Sequence, residues 1–143
     1  MTPDVNVLVA AFRKDHQHHA SAKQCLDDAM MASLGGSTLM LLPPVITGFL
    51  RLVTNPKIFL VPDTIENAIG FVDALAGAPG VEVAVVGEEW PLLRQLGVQG
   101  KLQGNAIPDA WVAAIVLQLG EHLVTFDRGM KKLLRHDRLT VLS

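Results

Sequence analysis

The sequence predicts an α/β fold in which a central, mainly parallel sheet is flanked by helices, and three observations support this prediction. Short apolar or β-branched runs alternate with helix-favouring stretches along the chain. The chain has 143 residues, half of them apolar, which is enough for one well-packed core. No linker, internal repeat or low-complexity tract interrupts it. We therefore expect a single domain over residues 1–143.

The first predicted elements lie between Val5 and Met31. The apolar run from Val5 to Leu8 is typical of a β-strand. Only three residues precede Asp4, so a strand ending there is short or starts upstream. The stretch from Ala20 to Met31 has apolar or small residues at helical spacing, which predicts an amphipathic helix.

A strand and a helix follow the glycine pair at positions 35 and 36. The short apolar stretch Thr38–Leu42 predicts a buried strand. Pro43 and Pro44 stand where a new helix can start, which predicts a helix over Val45–Val53. The Asn55-Pro56 pair ends it.

The next segment repeats this alternation. Asp63 or Thr64 is a suitable N-cap for a helix over Ile65–Leu75. Val81–Val86 is the strongest β-branched run of the chain and predicts a strand. Helical spacing returns over Glu88–Leu96.

The last third begins with a largely apolar helix over Ile107–Leu119, with Pro108 in its first turn and Gly120 closing it. His122–Thr125 then predicts a strand. The remaining predicted elements are a helix at Arg128–Arg135 and a strand at Leu139–Leu142.

Charge gives only a local indication of nucleic-acid binding. The net charge is −2, whereas phosphate binding usually requires a basic face. In the predicted last helix, basic residues fall three or four positions apart and would share one face: Arg128, Lys131, Lys132 and Arg135. This face predicts RNA contacts, and the alternative is an ordinary solvated helix surface.

The sequence favours a cytoplasmic protein without a membrane span. No apolar run reaches the roughly 18 residues that a span needs, and the N-terminus lacks the pattern of a signal peptide. The lone Cys25 has no partner for an internal disulfide and is interpreted as a core residue.

Three aspartates occupy positions that suggest a metal site. Asp127 follows a predicted strand directly, Asp109 begins an apolar helix, and Asp4 lies in the first apolar run. Carboxylates gathered at strand ends repel each other by about 4 kcal/mol per pair at ~4 Å and an effective dielectric near 20. A bound cation relieves this repulsion, and hard oxygen ligands favour Mg²⁺ or Mn²⁺. Singly, Asp109 is also explained as a helix-start charge and Asp127 as an N-cap.

Histidine and tryptophan give weaker indications. The cluster of His16, His18 and His19 lies in a polar lead-in to a helix without an acidic or cysteine partner nearby, so we do not predict a metal site there. Trp90 and Trp111 are expected to face the core or a partner surface rather than to stack on bases.

Four segments together resemble one known family. They are Pro3-Asp4-Val5-Asn6-Val7-Leu8, Gly48-Phe49-Leu50-Arg51-Leu52-Val53-Thr54-Asn55-Pro56, Ile107-Pro108-Asp109-Ala110-Trp111-Val112-Ala113-Ala114 and Leu123-Val124-Thr125-Phe126-Asp127. In this order they resemble the PIN-domain ribonucleases, specifically the VapC-type toxins of bacterial toxin–antitoxin pairs. The likeness runs from Asp4 to the C-terminus.

The resemblance implies a three-layer fold with a central parallel sheet, and Mg²⁺- or Mn²⁺-dependent hydrolysis of RNA phosphodiester bonds. By position, it assigns metal binding and catalysis to Asp4, Asp109 and Asp127. Asn6 and Thr125 match small polar positions that orient a carboxylate or a water. Family members commonly have Glu where this chain has Gly48. Asn105 is the polar residue nearest to a further acidic position, which Ala106 occupies here.

The resemblance also implies partners. An antitoxin of the VapB type would lay a peptide across the acidic cleft and pair a basic side chain with the carboxylates. A homodimer is expected, with the helix faces around Phe49 and Leu52 contributing to the contact. The alternative is a catalytically impaired PIN-like module that binds RNA or protein, which Gly48 motivates. A haloacid-type phosphatase is disfavoured, because it requires Asp-x-Asp near the start and position 6 is Asn.

Overall fold

Five short parallel strands form the centre of the structure, a computed structural model that describes residues 1–143. The strands are β1 (Thr2–Pro3), β2 (Leu39–Leu41), β3 (Val81–Val83), β4 (Leu123–Thr125) and β5 (Leu139–Val141). The helices that flank them are α1 (Val5–Phe12), α2 (His19–Leu34), α3 (Pro43–Val53), α4 (Ile65–Ala76), α5 (Trp90–Gly100) and α6 (Ala106–Leu119). A 3₁₀ helix, Arg128–Lys132, lies between β4 and β5.

The strand order places a reversal point between β1 and β4. Strands β1, β4 and β5 form one parallel ladder and β2 and β3 another. The backbone N–H of Met40 donates to the carbonyl of Met1 at 2.9 Å, so the two ladders adjoin in the order β3-β2-β1-β4-β5. The chain leaves β1 towards β2 on one side and returns to β4 on the other. In open parallel sheets, ligand sites lie at such a reversal, beyond the carboxyl ends of the strands.

The core is one cluster of 26 buried apolar residues drawn from both ladders and from all helices except α5. Phe49 of α3 is completely buried and packs its ring edge-on against Phe12, with ring centroids 5.4 Å apart. Phe49 is therefore used inside the protomer and its side chain is not available for a dimer contact, so the expected contact of the helix faces around Phe49 and Leu52 stays a prediction for their exposed residues. Leu52 is half-buried.

The predicted strand Val5–Leu8 is wrong, because these residues begin helix α1. Asp4 is extended and its Oδ1 accepts a hydrogen bond from the N–H of Val5 at 2.7 Å, which caps the helix start. Val7–Ala11 is buried without interruption, so the segment has no polar face to reveal a helical period. A short, fully apolar run of this kind does not distinguish a strand from a buried helix. The first strand is Thr2–Pro3.

The predicted helix Arg128–Arg135 is also wrong. Only Arg128–Lys132 is helical, and it is a 3₁₀ helix with about three residues per turn. The four basic residues therefore do not lie along one α-helical face, although Lys131 and Arg135 line the same surface depression. The strand at Val81–Val86 ends at Val83, and the helix predicted over Glu88–Leu96 begins at Trp90 and extends to Gly100.

Several local predictions are confirmed. Thr64 caps α4 by accepting a hydrogen bond from the N–H of Asn67 at 3.1 Å. Gly120 ends α6 in the left-handed region with φ of 67°. Pro43 and Pro44 open α3. None of the helices combines the length and apolar character that crossing a membrane requires.

Candidate active site

A hydrogen-bond network joins the end of β1 to the end of β4. The buried Thr125 hydroxyl donates to Oδ2 of Asp4 at 2.8 Å. Oγ1 of Thr125 also accepts from Nδ2 of Asn6 and from the N–H of Asp127, each at 3.0 Å. Oδ1 of Asn6 in turn accepts from the N–H of Phe126 at 3.0 Å. Asn6 and Thr125 therefore hold Asp4 and the backbone before Asp127 in fixed positions.

The three predicted aspartates line one cavity of about 300 Å³ at the reversal point of the sheet. Asp4 is half-buried, whereas Asp109 and Asp127 are exposed. Oδ1 of Asp127 accepts from the N–H of Gly129 at 2.8 Å, so Asp127 also caps the 3₁₀ helix, as its alternative interpretation expected. The carboxylate of Asp109, in the first turn of α6, accepts no hydrogen bond from the protein.

The carboxylates repel one another without a basic partner. Burial raises the pKa of Asp4, hydrogen bonds from Thr125 and Val5 partly offset this, and the charge of Asp127 adds to the increase. Burial also raises the pKa of Asp109, and the charges of Asp4 and Asp127 raise it further. None of the ion pairs of the protein involves these residues. The cavity thus concentrates three carboxylates, and although Arg51 also lines it, no basic side chain forms an ion pair with them.

The donor set fits a hard divalent cation in chemistry, although not as a preassembled cage. All three groups offer carboxylate oxygens, which Mg²⁺ and Mn²⁺ prefer, and Asp109 has both oxygens available. Yet no three His, Cys, Asp or Glu side chains already lie at ligand spacing around one point. Because Mg²⁺ usually keeps several waters and one or two protein carboxylates, incomplete protein coordination is compatible with such an ion.

Gly48, where the family commonly has Glu, also lines this cavity. A Cβ atom at this position would lie 2.9 Å from Cγ2 of Val5. Glycine at position 48 therefore allows α3 to approach α1 closely. A simple replacement by Glu requires Val5 to move, so restoring the family's carboxylate involves repacking as well as a new ligand.

The remaining predicted site residues lie elsewhere. Asn105 is exposed, makes no side-chain hydrogen bond at the start of α6 and does not line the cavity. The basic residues of the predicted helix are all exposed and also lie outside the cavity lining: Arg128, Lys131, Lys132 and Arg135.

The histidine cluster has structural contacts. The ring of His18 stacks on Phe126 with centroids 4.6 Å apart. Nδ1 of His16 accepts from the N–H of His18 at 3.0 Å, and Nδ1 of His19 lies 2.9 Å from the carbonyl of Ala10. Cys25 packs against the core, and burial raises the pKa of its thiol.

A groove beside the cavity contains residues that sequence reasoning did not assign. The groove measures about 430 Å³ and shares Pro44, Gly48, Arg51 and Pro108 with the acidic cavity. Trp111 forms part of its lining and is 37% exposed. Arg51 lies three residues after Gly48 on α3, so the two residues share a helical face. This spacing could have predicted that Arg51 lies near the cavity.

Trp111 is held by Glu89, a buried carboxylate just before α5. The indole N–H donates to Oε1 of Glu89 at 2.8 Å, and the N–H of Gly87 donates to Oε2 at 2.6 Å. Burial would raise the pKa of Glu89, but these hydrogen bonds outweigh it and the pKa is lowered. No local pattern links positions 89 and 111, which explains why this pair could not be predicted.

A larger depression of about 760 Å³ lies between the end of α1 and α4. Arg13 in its lining is bound to Asp15 at 2.7 Å and Asp63 at 2.8 Å, and its guanidinium lies 4.1 Å from the ring centroid of Phe59. These partners satisfy the arginine, so it links α1 to the loop before α4. The acidic cavity is therefore the better candidate for chemistry.

The fold and the cavity define a class. A parallel sheet whose strand order reverses beside three aspartates describes an α/β domain with an acidic, cation-attracting site at the carboxyl ends of its strands.

Comparisons with known proteins identify the family. The PIN domain family matches residues 1–135. Ribonuclease VapC43 of Mycobacterium tuberculosis is 36% identical over 133 residues, covering 92% of this chain and 88% of the relative. Ribonuclease VapC25 of the same species is 34% identical over 138 residues, covering 94% and 95%. The chain therefore belongs to the PIN domain family and, within it, to the VapC proteins.

Solved structures agree on the fold. VapC20 of M. tuberculosis, described as a Sarcin-Ricin loop cleaving toxin, superposes with a TM-score of 0.64 at 15% identity, covering 91% of this chain and 92% of the other. VapBC2 of Rickettsia felis, solved with a DNA fragment from its promoter, gives 0.66 at 18% identity, covering 98% and 96%. The predicted α/β fold and the family resemblance are confirmed.

Proposed function

We propose that this protein is a metal-dependent endoribonuclease that acts as the toxin of a VapBC-type pair. The observation that carries the proposal is the cavity at the strand reversal, where Asp4, Asp109 and Asp127 gather without a basic partner. The relatives named as VapC ribonucleases at 34–36% identity support an RNA substrate.

Asp4, Asp109 and Asp127 would hold the ion, Mg²⁺ or Mn²⁺. When bound, such an ion lowers the pKa of a coordinated water and polarises the scissile phosphate. Thr125 and Asn6 keep the carboxylate of Asp4 in one orientation. Asp109 has no internal partner, so its oxygens are free to position a water and to accept its proton.

The basic residues after β4 are proposed to contact the RNA backbone outside the cavity. Arg128, Lys131, Lys132 and Arg135 are exposed and form no ion pair within the protein. Although they do not share an α-helical face, they all lie within eight residues after Asp127, which lines the cavity. Replacing all four by Ala should weaken RNA binding and flatten its salt dependence.

Two protein partners are part of the proposal. An antitoxin of the VapB type would neutralise the cavity by pairing a basic side chain with the carboxylates, which form no ion pair within this chain. A homodimer is also proposed, with the contact formed by exposed residues rather than by Phe49.

The decisive experiment combines cleavage and melting for Asp127→Asn. The parent should cleave RNA with Mg²⁺ or Mn²⁺ and not with a chelator, and the variant should be inactive. Asn can still cap the 3₁₀ helix, so the metal-free variant should be at least as stable as the parent. Mg²⁺ should raise the melting temperature of the parent more than that of the variant.

An active variant, or equal metal shifts in both proteins, would remove Asp127 from the site. Chelator-resistant cleavage would overturn metal dependence. RNA binding without cleavage under any condition would favour the second candidate, a catalytically impaired module. The absence of a carboxylate at Gly48 and of a preassembled metal cage motivates that candidate.

A further inference from the structure

The groove beside the acidic cavity presents an aromatic ring and an unpaired positive charge. Trp111 and Arg51 both line it, with the apolar side chains of Leu93 and Ile107. Arg51 lines the acidic cavity as well and is exposed. The groove and the cavity therefore form one continuous surface, with Arg51 at their boundary.

We propose that this groove is a nucleotide subsite, in which Trp111 stacks on an unpaired base of the RNA and Arg51 binds the phosphate that leads into the acidic cavity. The inference rests on the proposed ribonuclease function and names residues that position its substrate. The occupant is a single-stranded nucleotide, because a paired base has no free face to offer.

Trp111 is fixed in a way that leaves only its ring for a ligand. The indole N–H, its single polar atom, already donates to the buried Glu89. The exposed part of the side chain can therefore offer only its aromatic surface to the groove. Stacking on such a surface tolerates every base. The subsite should bind a base without strong sequence preference, and Glu89 acts as a positioning residue.

Arg51 is free to bind a phosphate. Its guanidinium makes no hydrogen bond or ion pair within the protein, although three carboxylates line the same cavity. Two other arginines have partners, since Arg13 binds two carboxylates and Arg138 donates to the carbonyl of Gly120 at 2.6 Å, and among the unpaired arginines Arg51 is the one that lines the cavity. An arginine offers a planar fork that matches phosphate oxygens.

Binding of a short RNA in the presence of a chelator tests the subsite independently of cleavage. We would use a fluorescein-labelled tetra-adenylate and measure its Kd at low salt by fluorescence anisotropy. Trp111→Leu should weaken binding roughly 5- to 150-fold, the range expected for loss of one base–aromatic stack. Arg51→Ala should weaken binding and reduce its salt dependence.

Matched variants separate this site from general effects. Trp90 is the other tryptophan, is 61% exposed and does not line the groove, so Trp90→Leu should leave the Kd unchanged. Arg94→Ala is the control for Arg51, since Arg94 is exposed on α5 and lies outside both linings. In a Trp90→Phe background, the emission of Trp111 should be quenched saturably by the RNA.

A folding control is needed because Trp111→Leu leaves the buried Glu89 without its partner. The double variant Glu89→Leu/Trp111→Leu removes both groups and should keep the fold. Glu89→Gln retains an acceptor for the indole and should bind nearly as well as the parent. Glu89→Leu alone should raise the KM for RNA cleavage more than it lowers kcat. If both variants behave in this way, the positioning role of Glu89 is supported.

Three outcomes would overturn the proposal. Unchanged binding in Trp111→Leu and in the folded double variant would exclude stacking. If Arg94→Ala weakens binding as much as Arg51→Ala, Arg51 contributes only nonspecific positive charge. A change in Trp111 emission with protein concentration and without RNA would assign the groove to a second copy of the chain. If RNA binding requires Trp111 but the protein never cleaves RNA, the subsite proposal is supported and the proposed nuclease function is contradicted.

Discussion

The two walls of the acidic cavity are built differently. On the wall formed by β1, α1 and β4, Asp4 and Asn6 are tied to Thr125 by hydrogen bonds of 2.8–3.0 Å. On the opposite wall, formed by α3 and α6, neither Asp109 nor Arg51 has a partner. The first wall is fixed by the fold itself. The second keeps its charged groups available, as the proposed binding of a cation and a phosphate requires.

The largest contrast is expected from two Asp→Asn variants, one on each wall. Asp109→Asn and Asp4→Asn should both lower RNA cleavage by about a thousandfold or more, since each removes a charged ligand of the proposed ion. Their stabilities in chelator should differ. Asp109→Asn should be as stable as the parent or more so, because repulsion is relieved and no internal bond is lost.

Asp4→Asn should be less stable than the parent, because an amide cannot accept both hydrogen bonds that the carboxylate accepts. Thermal melting in EDTA beside one cleavage assay measures both effects. Equal destabilisation by the two substitutions would show that the walls do not differ.

Removing the Thr125 hydroxyl tests the fixed wall alone. Thr125→Val keeps the shape but leaves Asp4, Asn6 and the N–H of Asp127 without a common partner. The free energy of unfolding should fall by about 2–3 kcal/mol, measured by urea denaturation. Thr140→Val is the control, since this residue is exposed in β5 and its hydroxyl makes one exposed hydrogen bond, to Nε2 of His122 at 2.7 Å. A similar loss in both variants would contradict a special role of the network.

Gly48 tests how closely the two walls approach. Gly48→Ala should destabilise the protein by about 1–3 kcal/mol, because its Cβ would lie 2.9 Å from Val5 Cγ2. Gly70→Ala in α4 is the matched control: nothing lies within 4 Å of its Cβ, so a gain of about 0.5–1 kcal/mol is expected.

Combining Val5→Ala with Gly48→Glu removes the obstructing methyl groups and restores the family's carboxylate. Calorimetry should then show tighter Mg²⁺ binding than in Val5→Ala alone. If Gly48→Ala is as stable as the parent, α3 can move away from α1 at little cost. If the double variant has unchanged metal affinity, a side chain at position 48 does not reach the ion.

The smallest effect is expected from pH. In the folded protein the pKa of Asp109 is raised above its ordinary value of 3.8, so the folded state binds more protons than the unfolded state between the two values. Stability in chelator should therefore fall as pH rises through this window. Asn does not titrate, so the stability of Asp109→Asn should not show this fall. The melting temperature of the variant minus that of the parent should therefore increase from about pH 4 upwards. A constant difference would show that the repulsion is negligible.

Local chemistry explains how far the sequence alone could be interpreted. The caps at Thr64 and Gly120 and the proline start of α3 involve neighbours in the chain, so they were predictable. The run at Val5 was misassigned because the continuous burial of Val7–Ala11 hides helical periodicity. The basic segment after Asp127 was misassigned because favourable spacing does not ensure an α-helix.

The sequence by itself determined the alternation of strands and helices, the family, and which aspartates are candidates, because these depend on local order along the chain. Only the tertiary structure decided that Asp4, Asp109 and Asp127 share one cavity, that Thr125 binds residues about 120 positions away, and that Glu89 holds Trp111 beside Arg51. Such contacts join distant segments through the strand order, and no single segment carries a signal for them.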